Sequence, residues 1–315
     1  MKKDSLRPER LDGYIGQDQI KEQLKAALTS AKIRNQPLGH VLLSGPPGLG
    51  KTTLALIIAR EMEWKLLDLI GSTAGNPSAL SKKVIGLEPK TMLFIDEIHA
   101  LRKPVQEVLY PVLEDNRILF RLGDAAAEID LPPLTVLGAT TDLGKLAQPF
   151  IDRFQLQFDL SFYHDDELID LGKATTGRLQ IEVPEDSLAI IAERSRGTPR
   201  HMNNFLRWIR DFQIYKGNPV NDPKFVEYVL WKNLRVDGLG LRPIDRNYLK
   251  VLRDAGNPIG LEAISARLQQ PEVTLEKFVE PFLSYAGLIE RIKNGRQITG
   301  KGIGHLEKMA NRKSL

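Results

Sequence analysis

Cysteine is absent from this 315-residue chain, which excludes disulfides, thiol catalysis and cysteine-based zinc sites together and suits a reducing compartment. Histidine is sparse and scattered, five in all, with no metal-ligand spacing. No segment approaches the run of about 20 apolar residues that a membrane span needs, so no membrane role is expected. The start, Met1-Lys2-Lys3-Asp4-Ser5-Leu6-Arg7-Pro8, is charged and has no apolar stretch behind it. A secretory signal is therefore not expected, and the expected location is cytoplasmic. There is no internal repeat and no low-complexity tract.

What the chain does have is length and charge pattern. Its 315 residues, 42% hydrophobic, exceed what one core usually organises and predict two or three domains. A net charge of +4 points only weakly to a polyanionic partner. Its distribution says more: residues 291–315 carry Arg291, Lys293, Arg296, Lys301, Lys308, Arg312 and Lys313 against the single acid Glu307.

Short β-rich runs at Val41, Met92 and Thr135 alternate with helical patterns up to Phe162, as in an α/β fold with a parallel sheet. Residues 1–163 form the first expected domain. Strand signals vanish across 164–237, where helical periodicity over Ser187–Arg194 and Pro199–Ile214 predicts a small helical domain. Asp237-Gly238-Leu239-Gly240-Leu241-Arg242-Pro243 reads as a linker. Beyond it, 238–315 shows three helical patterns and then two short strand-like runs around Asn294-Gly295, a hairpin turn signal. That order predicts a winged helix with a basic wing.

Gly45-Pro46-Pro47-Gly48-Leu49-Gly50-Lys51-Thr52 fits G-x-x-x-x-G-K-[ST] between an apolar strand and a helical stretch. In that context the glycines let backbone N–H groups curl around phosphate. Lys51 reaches the outer phosphates, and the Thr52 hydroxyl can ligate Mg²⁺. Met92-Leu93-Phe94-Ile95 ends in Asp96 and Glu97, about 45 residues after the phosphate loop. Asp96 is expected in the Mg²⁺ shell and Glu97 as the base that polarises water. The hydroxyls of Thr140 and Thr141 close a third strand and either orient that water or simply make a turn. Arg153 either neutralises charge in a neighbouring subunit's site or pairs with Asp152 in its own chain. Arg200, opening a helix, either senses the γ-phosphate or is an exposed helix-start residue.

Together these residues resemble the RuvB family of Holliday-junction branch-migration AAA+ ATPases. The likeness runs through Leu6-Arg7-Pro8, Tyr14-Ile15-Gly16-Gln17, the phosphate loop, Leu93–His99, Val108–Pro111, Leu131-Pro132-Pro133, Gly138–Thr141, Asp152-Arg153-Phe154, Ser195–Arg200, Pro258–Glu262 and Glu280–Leu283. The resemblance implies an AAA+ P-loop domain, a helical lid and a C-terminal winged helix, hydrolysing Mg-ATP. It implies that Leu6, Arg7, Ile15, Gly48, Gly50, Thr52, Thr53, Glu114, Asp115, Asn116, Tyr163 and Arg200 bind nucleotide. Lys51, Asp96, Glu97, Thr141, Arg153 and Arg200 would serve catalysis, Arg153 as a trans-acting finger, and Arg291 and Arg296 would touch DNA. It further implies duplex and four-way-junction DNA, a RuvA-type partner and a hexameric ring.

The chain departs from the family pattern in places. Asp142 stands where an arginine is usual, Ile151 replaces another, and Gly71–Pro77 replaces a Gly-Pro-led segment. The hairpin expected over Asn116–Asp130 is shortened; Leu119, Phe120 and Leu122 are expected there as exposed apolar contacts for a partner. Two other readings are a protein remodeller, which the absence of an aromatic pore signature disfavours, and an ATP-switched loader, which has no need of Glu97.

Overall fold

The computed structural model describes residues 6–122, 125–217 and 221–312, and the side chains of these other than 120–122, 125, 126, 311 and 312. Contacts divide the chain into two compact units, Met1–Ile181 with Gly197–Asn204, and Glu182–Arg196 with Phe205–Leu315.

The first unit begins with α1 (Asp18–Arg34), which buries Ile20, Leu24, Leu28 and Ala31 along one helical stripe. There follow β1 (Val41–Ser44), α2 (Lys51–Glu61), β2 (Lys65–Ile70), α3 (Pro77–Ile85), β3 (Thr91–Asp96) and α4 (Lys103–Asp115). Next come the hairpin β4 (Arg117–Leu122) and β5 (Ala125–Asp130), then β6 (Thr135–Ala139), α5 (Gln148–Ile151), β7 (Leu156–Asp159) and α6 (Asp165–Leu179). Five strands form one parallel sheet in the order β2–β3–β6–β1–β7. β1 and β6 are buried along their whole length, and β3 as far as Ile95. Helices cover both faces of such strands, so they read as continuous apolar runs. One layer of the core packs Leu93, Ile95 and Val136 against Val105, Leu109, Val112 and Leu113 of α4. Truncating one such leucine to alanine costs about 2–5 kcal/mol.

Because the sheet is parallel, every strand delivers its C-terminal end to the same edge. Register makes those ends level: Leu43 pairs with Ala139, Ile95 with Gly138, and Ser44 with Asp159. The phosphate loop, Asp96 and Thr140 thus leave the sheet side by side.

The second unit contains α7 (Glu185–Arg194), the C-terminal part of α8 (Pro199–Lys216), and α9 (Pro223–Glu227), which runs into a π-helical turn at Tyr228–Asn233. It continues with α10 (Pro243–Ala255), α11 (Leu261–Leu268), α12 (Glu272–Thr274) with a π-helical turn at Leu275–Val279, and α13 (Glu280–Tyr285). It ends with β8 (Ile289–Ile292), β9 (Gly295–Ile298) and α14 (Gly300–Arg312). Three helical segments followed by an antiparallel hairpin give the winged-helix order, around a core that includes Tyr248, Leu249, Ile264, Leu283 and Leu288. Among the described residues no helix is long and apolar enough to cross a membrane.

Two local expectations change. The 237–243 segment is an ordered turn: Asp237 is buried, accepts from the amides of Leu239 and Leu241, and pairs with Arg246 and His305. In the wing, Ile292 pairs with Gly295, so the turn residues are Lys293 and Asn294, one position earlier than Asn294-Gly295. Gly295 has φ +136°, and a Cβ there would lie 2.4 Å from the Ile259 carbonyl oxygen. Glycine is needed at this position because Ile259 exchanges both backbone hydrogen bonds with Arg296.

Candidate nucleotide-binding site

Gly45, Gly48 and Gly50 have φ of +125°, +90° and +102°, values that side-chain-bearing residues rarely adopt. A Cβ on Gly45 would meet the Leu160 carbonyl oxygen at 2.4 Å, so the chain can turn here only as glycine. The loop ends at Gly50 and α2 begins at Lys51, which leaves the unpaired amides of a helix N-terminus facing the loop. Lys51 is 7% exposed, and its ammonium donates to the carbonyls of Gly45 (2.6 Å) and Pro46 (2.9 Å). Burial pushes its pKa down to about 8; the carboxylates of Glu97 and Asp96 pull upward and the Arg200 guanidinium downward. Lys51, both acids and Arg200 are thereby within electrostatic reach of one another.

Thr52 Oγ1 donates to Asp96 Oδ2 at 3.2 Å. Two hard oxygen donors converge there, a set that suits a small divalent cation completed by water and phosphate oxygens. Glu97 follows with φ +51°, a left-handed backbone that a non-glycine residue holds only when its surroundings fix it. Its Oε2 accepts the Thr141 hydroxyl at 2.8 Å and the Thr141 amide at 3.4 Å, and lies 3.2 Å from His99 Nδ1. Arg200 stands on the other side of the loop, its amide donating to the Gly48 carbonyl at 3.3 Å.

A cleft beside the loop is lined by Leu6, Arg7, Pro8, Tyr14, Ile15, Leu49, Gly50, Thr53, Tyr163, Leu171, Thr175, Arg178 and Asn203. The expected residues Leu6, Arg7, Ile15, Gly50, Thr53 and Tyr163 all belong to it. The N-terminal strap is held in place by Arg178, which donates to the Leu6 carbonyl at 2.7 Å, and by Tyr14, which donates to the Leu49 carbonyl at 3.2 Å. Arg178 and Asn203 belong to no local motif, and Tyr14, although part of the Tyr14-Ile15-Gly16-Gln17 run, is not among the expected site residues; their contribution to the cleft comes from the fold.

Arg153 lies in a different setting. Its guanidinium pairs with Glu114 at 2.6 Å, bonds the Pro149 carbonyl and stacks 4.4 Å over the Tyr110 ring. Asp152, the partner considered from sequence, is instead bonded by Gln148. Glu114 and Asp115 end α4, and Asn116 caps it with φ +52°. The structure therefore brings Glu114 to Arg153, while their nucleotide-binding role finds no contact to the phosphate loop among the described residues. Of the departures from the family pattern, Ile151 is buried in the core and Asp142 pairs with Lys145 at 2.8 Å.

In the wing, Arg291 and Arg296 both meet a buried acid. Glu280 is fully buried, accepts from the Tyr248 hydroxyl at 2.6 Å, and pairs with Arg296 at 3.0 Å and Arg291 at 2.5 Å. Arg296 is 18% exposed at its side chain and Arg291 46%. Both arginines are thus counter-ions of Glu280, Arg291 being the more exposed of the two, and Lys293 is exposed beside them. In the β4–β5 hairpin Leu119 is exposed as expected; the side chains of Phe120 and Leu122 lie outside those described.

Three family models cover the chain. A Holliday junction DNA helicase RuvB P-loop domain matches residues 6–160, a RuvB AAA lid domain 163–237, and a RuvB C-terminal winged-helix domain 238–307. The RuvB subunit of the Holliday junction branch migration complex of Synechococcus sp. (strain RCC307) is 41% identical over 311 residues, 96% of this chain and 90% of that protein. The Thermotoga maritima RuvB Holliday junction branch migration motor superposes with a TM-score of 0.87 at 38% identity, covering 96% of this chain and 98% of that one. A variant of that motor with one arginine changed to alanine gives 0.88 at 37% identity with the same coverage.

Proposed function

Because the chain belongs to the RuvB family, we propose that it is an ATP-driven motor for Holliday-junction branch migration, drawing duplex DNA through an oligomeric ring in recombination and repair. The observation that carries this reading is the convergence of Lys51, Thr52, Asp96, Glu97, Thr141 and Arg200 at one sheet edge, in a chain matched by the family along nearly its whole length. We assign 1–163 to nucleotide binding, 164–237 to the lid and 238–315 to DNA contact, in a cytoplasmic protein.

The backbone amides of Gly48, Gly50 and Lys51 hold the phosphates, and Lys51 exchanges its loop carbonyls for phosphate oxygens. Thr52 and Asp96 would hold Mg²⁺, which supplies charge neutralisation of the phosphate oxygens. Leu6, Arg7, Ile15, Thr53 and Tyr163 enclose the base and sugar. Glu97, held by Thr141, takes the proton of the attacking water, and Arg200 reports the γ-phosphate to the lid. Arg153 acts on a neighbouring subunit's nucleotide in a hexameric ring, with Glu114, Asp115 and Asn116 on the same edge. The β4–β5 hairpin docks a RuvA-type partner. Arg291 and Arg296 belong to the DNA-facing wing, where phosphate contacts give grip without sequence preference.

The test is ATP turnover with and without four-way-junction DNA, each with and without a RuvA-type partner. Stimulation by junction DNA, enhanced by the partner, supports a motor. Turnover indifferent to DNA favours a remodeller, and nucleotide binding without turnover favours a loader.

A further inference from the structure

We propose that His99 is a positioning residue for ATP hydrolysis: its ring Nδ1 ties the carboxylate of Glu97 to the hydroxyl of Thr140 and so fixes the oxygen that receives the proton of the attacking water. The proposal rests on the reading of Glu97 as the general base.

His99 lies in the single helical turn Ile98–Ala100 that follows β3, so the strand that delivers Asp96 and Glu97 also delivers the imidazole. Its side chain is 11% exposed. Nδ1 is 2.9 Å from Thr140 Oγ1 and 3.2 Å from Glu97 Oε2. Thr140 Oγ1 also accepts the amide of Asp142 at 3.0 Å. A bare lone pair on Nδ1 would face a carboxylate oxygen at 3.2 Å and be repelled. A proton on Nδ1 sits between two oxygen acceptors, which assigns the Nδ1–H tautomer. Among the described residues, the hydrogen bonds of the Glu97 side chain fall on the same Oε2, from Thr141. Oε1 is therefore the oxygen left to face water, and rotation of the carboxylate would have to break the contacts with Thr141 and His99 together. Holding a reacting group this way matters because a misplacement of about 1 Å can cost ~10²-fold in rate.

The experiment is steady-state ATP turnover of the full-length protein with four-way-junction DNA, together with binding of a fluorescent ATP analogue, for His99→Ala, His99→Asn and His99→Gln, alone and in a Glu97→Gln background. Asparagine places an N–H donor at the same bond count from Cβ as ring Nδ1, whereas glutamine places its amide one bond further out. The proposal expects His99→Ala to lower kcat by about tenfold or more with KM and analogue affinity unchanged, His99→Asn to recover most of the loss, and His99→Gln to recover little. In the Glu97→Gln background His99→Ala should cause no further loss. Full kcat in His99→Ala, or no advantage of asparagine over alanine and glutamine, overturns the proposal while leaving the Glu97 assignment intact. Turnover retained by Glu97→Gln alone overturns the base assignment and this proposal with it. The asparagine variant keeps the test decisive even where alanine compromises folding.

Discussion

Raising the pH above 8 should weaken ATP binding through Lys51 alone. In the free protein burial lowers the pKa of this ammonium to about 8. Bound phosphate oxygens replace two carbonyl acceptors with formal negative charge, so the pKa of the complex must lie higher. Below pH 8 the group is charged in both states and affinity is flat. Between 8 and the pKa of the complex, binding must take up a proton, and affinity falls by up to tenfold, about 1.4 kcal/mol, per pH unit. From pH 7 to pH 9 that amounts to roughly a tenfold loss. Equilibrium titration with a fluorescent ATP analogue measures it, and calorimetry in buffers of different ionisation enthalpy counts the proton taken up. Lys51→Arg, charged throughout this range, should lose the slope even where its affinity is lower. Affinity that stays flat to pH 9.5 in the wild type, or a slope that persists in Lys51→Arg, would refute the reasoning.

Arg153→Ala should lower turnover by about 10³-fold or more with single-chain ATP affinity near normal; titrating it with Glu97→Gln protein should restore some activity, since each supplies what the other lacks. Arg291→Ala should reduce the salt dependence of log K for duplex DNA by about 0.9 and also destabilise the second unit, because it removes one of the two guanidinium partners of the buried Glu280. Arg296→Ala should likewise destabilise the second unit by about 3 kcal/mol, because the buried Glu280 would lose its other partner; differential scanning calorimetry measures both losses. His40 is buried, accepts from the Val136 amide at 3.0 Å, and has its pKa lowered to about 4 by desolvation. The unfolded chain takes a proton near pH 6.5 and the folded one only near 4. Stability should therefore be complete above pH 6.5 and fall by about 3 kcal/mol on the way to pH 4, a loss that His40→Asn should largely remove in chemical denaturation.

The chemistry was legible wherever function and burial coincide in a short run. β1, β3 and β6 are buried almost throughout, so their apolar runs stood out and pointed straight to Lys51, Asp96 and Thr140. β2 and β7 are edge strands with exposed positions such as Lys65 and Gln157, and their mixed pattern gave no strand signal. The cleft beside the loop draws on residues from Leu6 to Asn203, joined only by the fold. No local spacing could mark Arg178 or Asn203. Glu280 opens α13 and reads as an ordinary helix-start acid; only tertiary packing buries it and turns Arg296 inward. The family resemblance supplied roles for Arg153 and Glu114, but the salt bridge between them and the Tyr110 ring beneath became visible only in three dimensions.

The central claim is that hydrolysis at Lys51, Asp96 and Glu97 drives strand movement in a four-way junction. Its most direct measurement is conversion of a synthetic mobile junction to duplex products by the full-length protein with a RuvA-type partner, comparing ATP with a non-hydrolysable analogue and wild type with Glu97→Gln. The account predicts conversion with wild type and ATP, and none with the analogue or with Glu97→Gln, although both still bind nucleotide. Equal conversion in all arms, or ATP hydrolysis that proceeds without any junction movement, would contradict it.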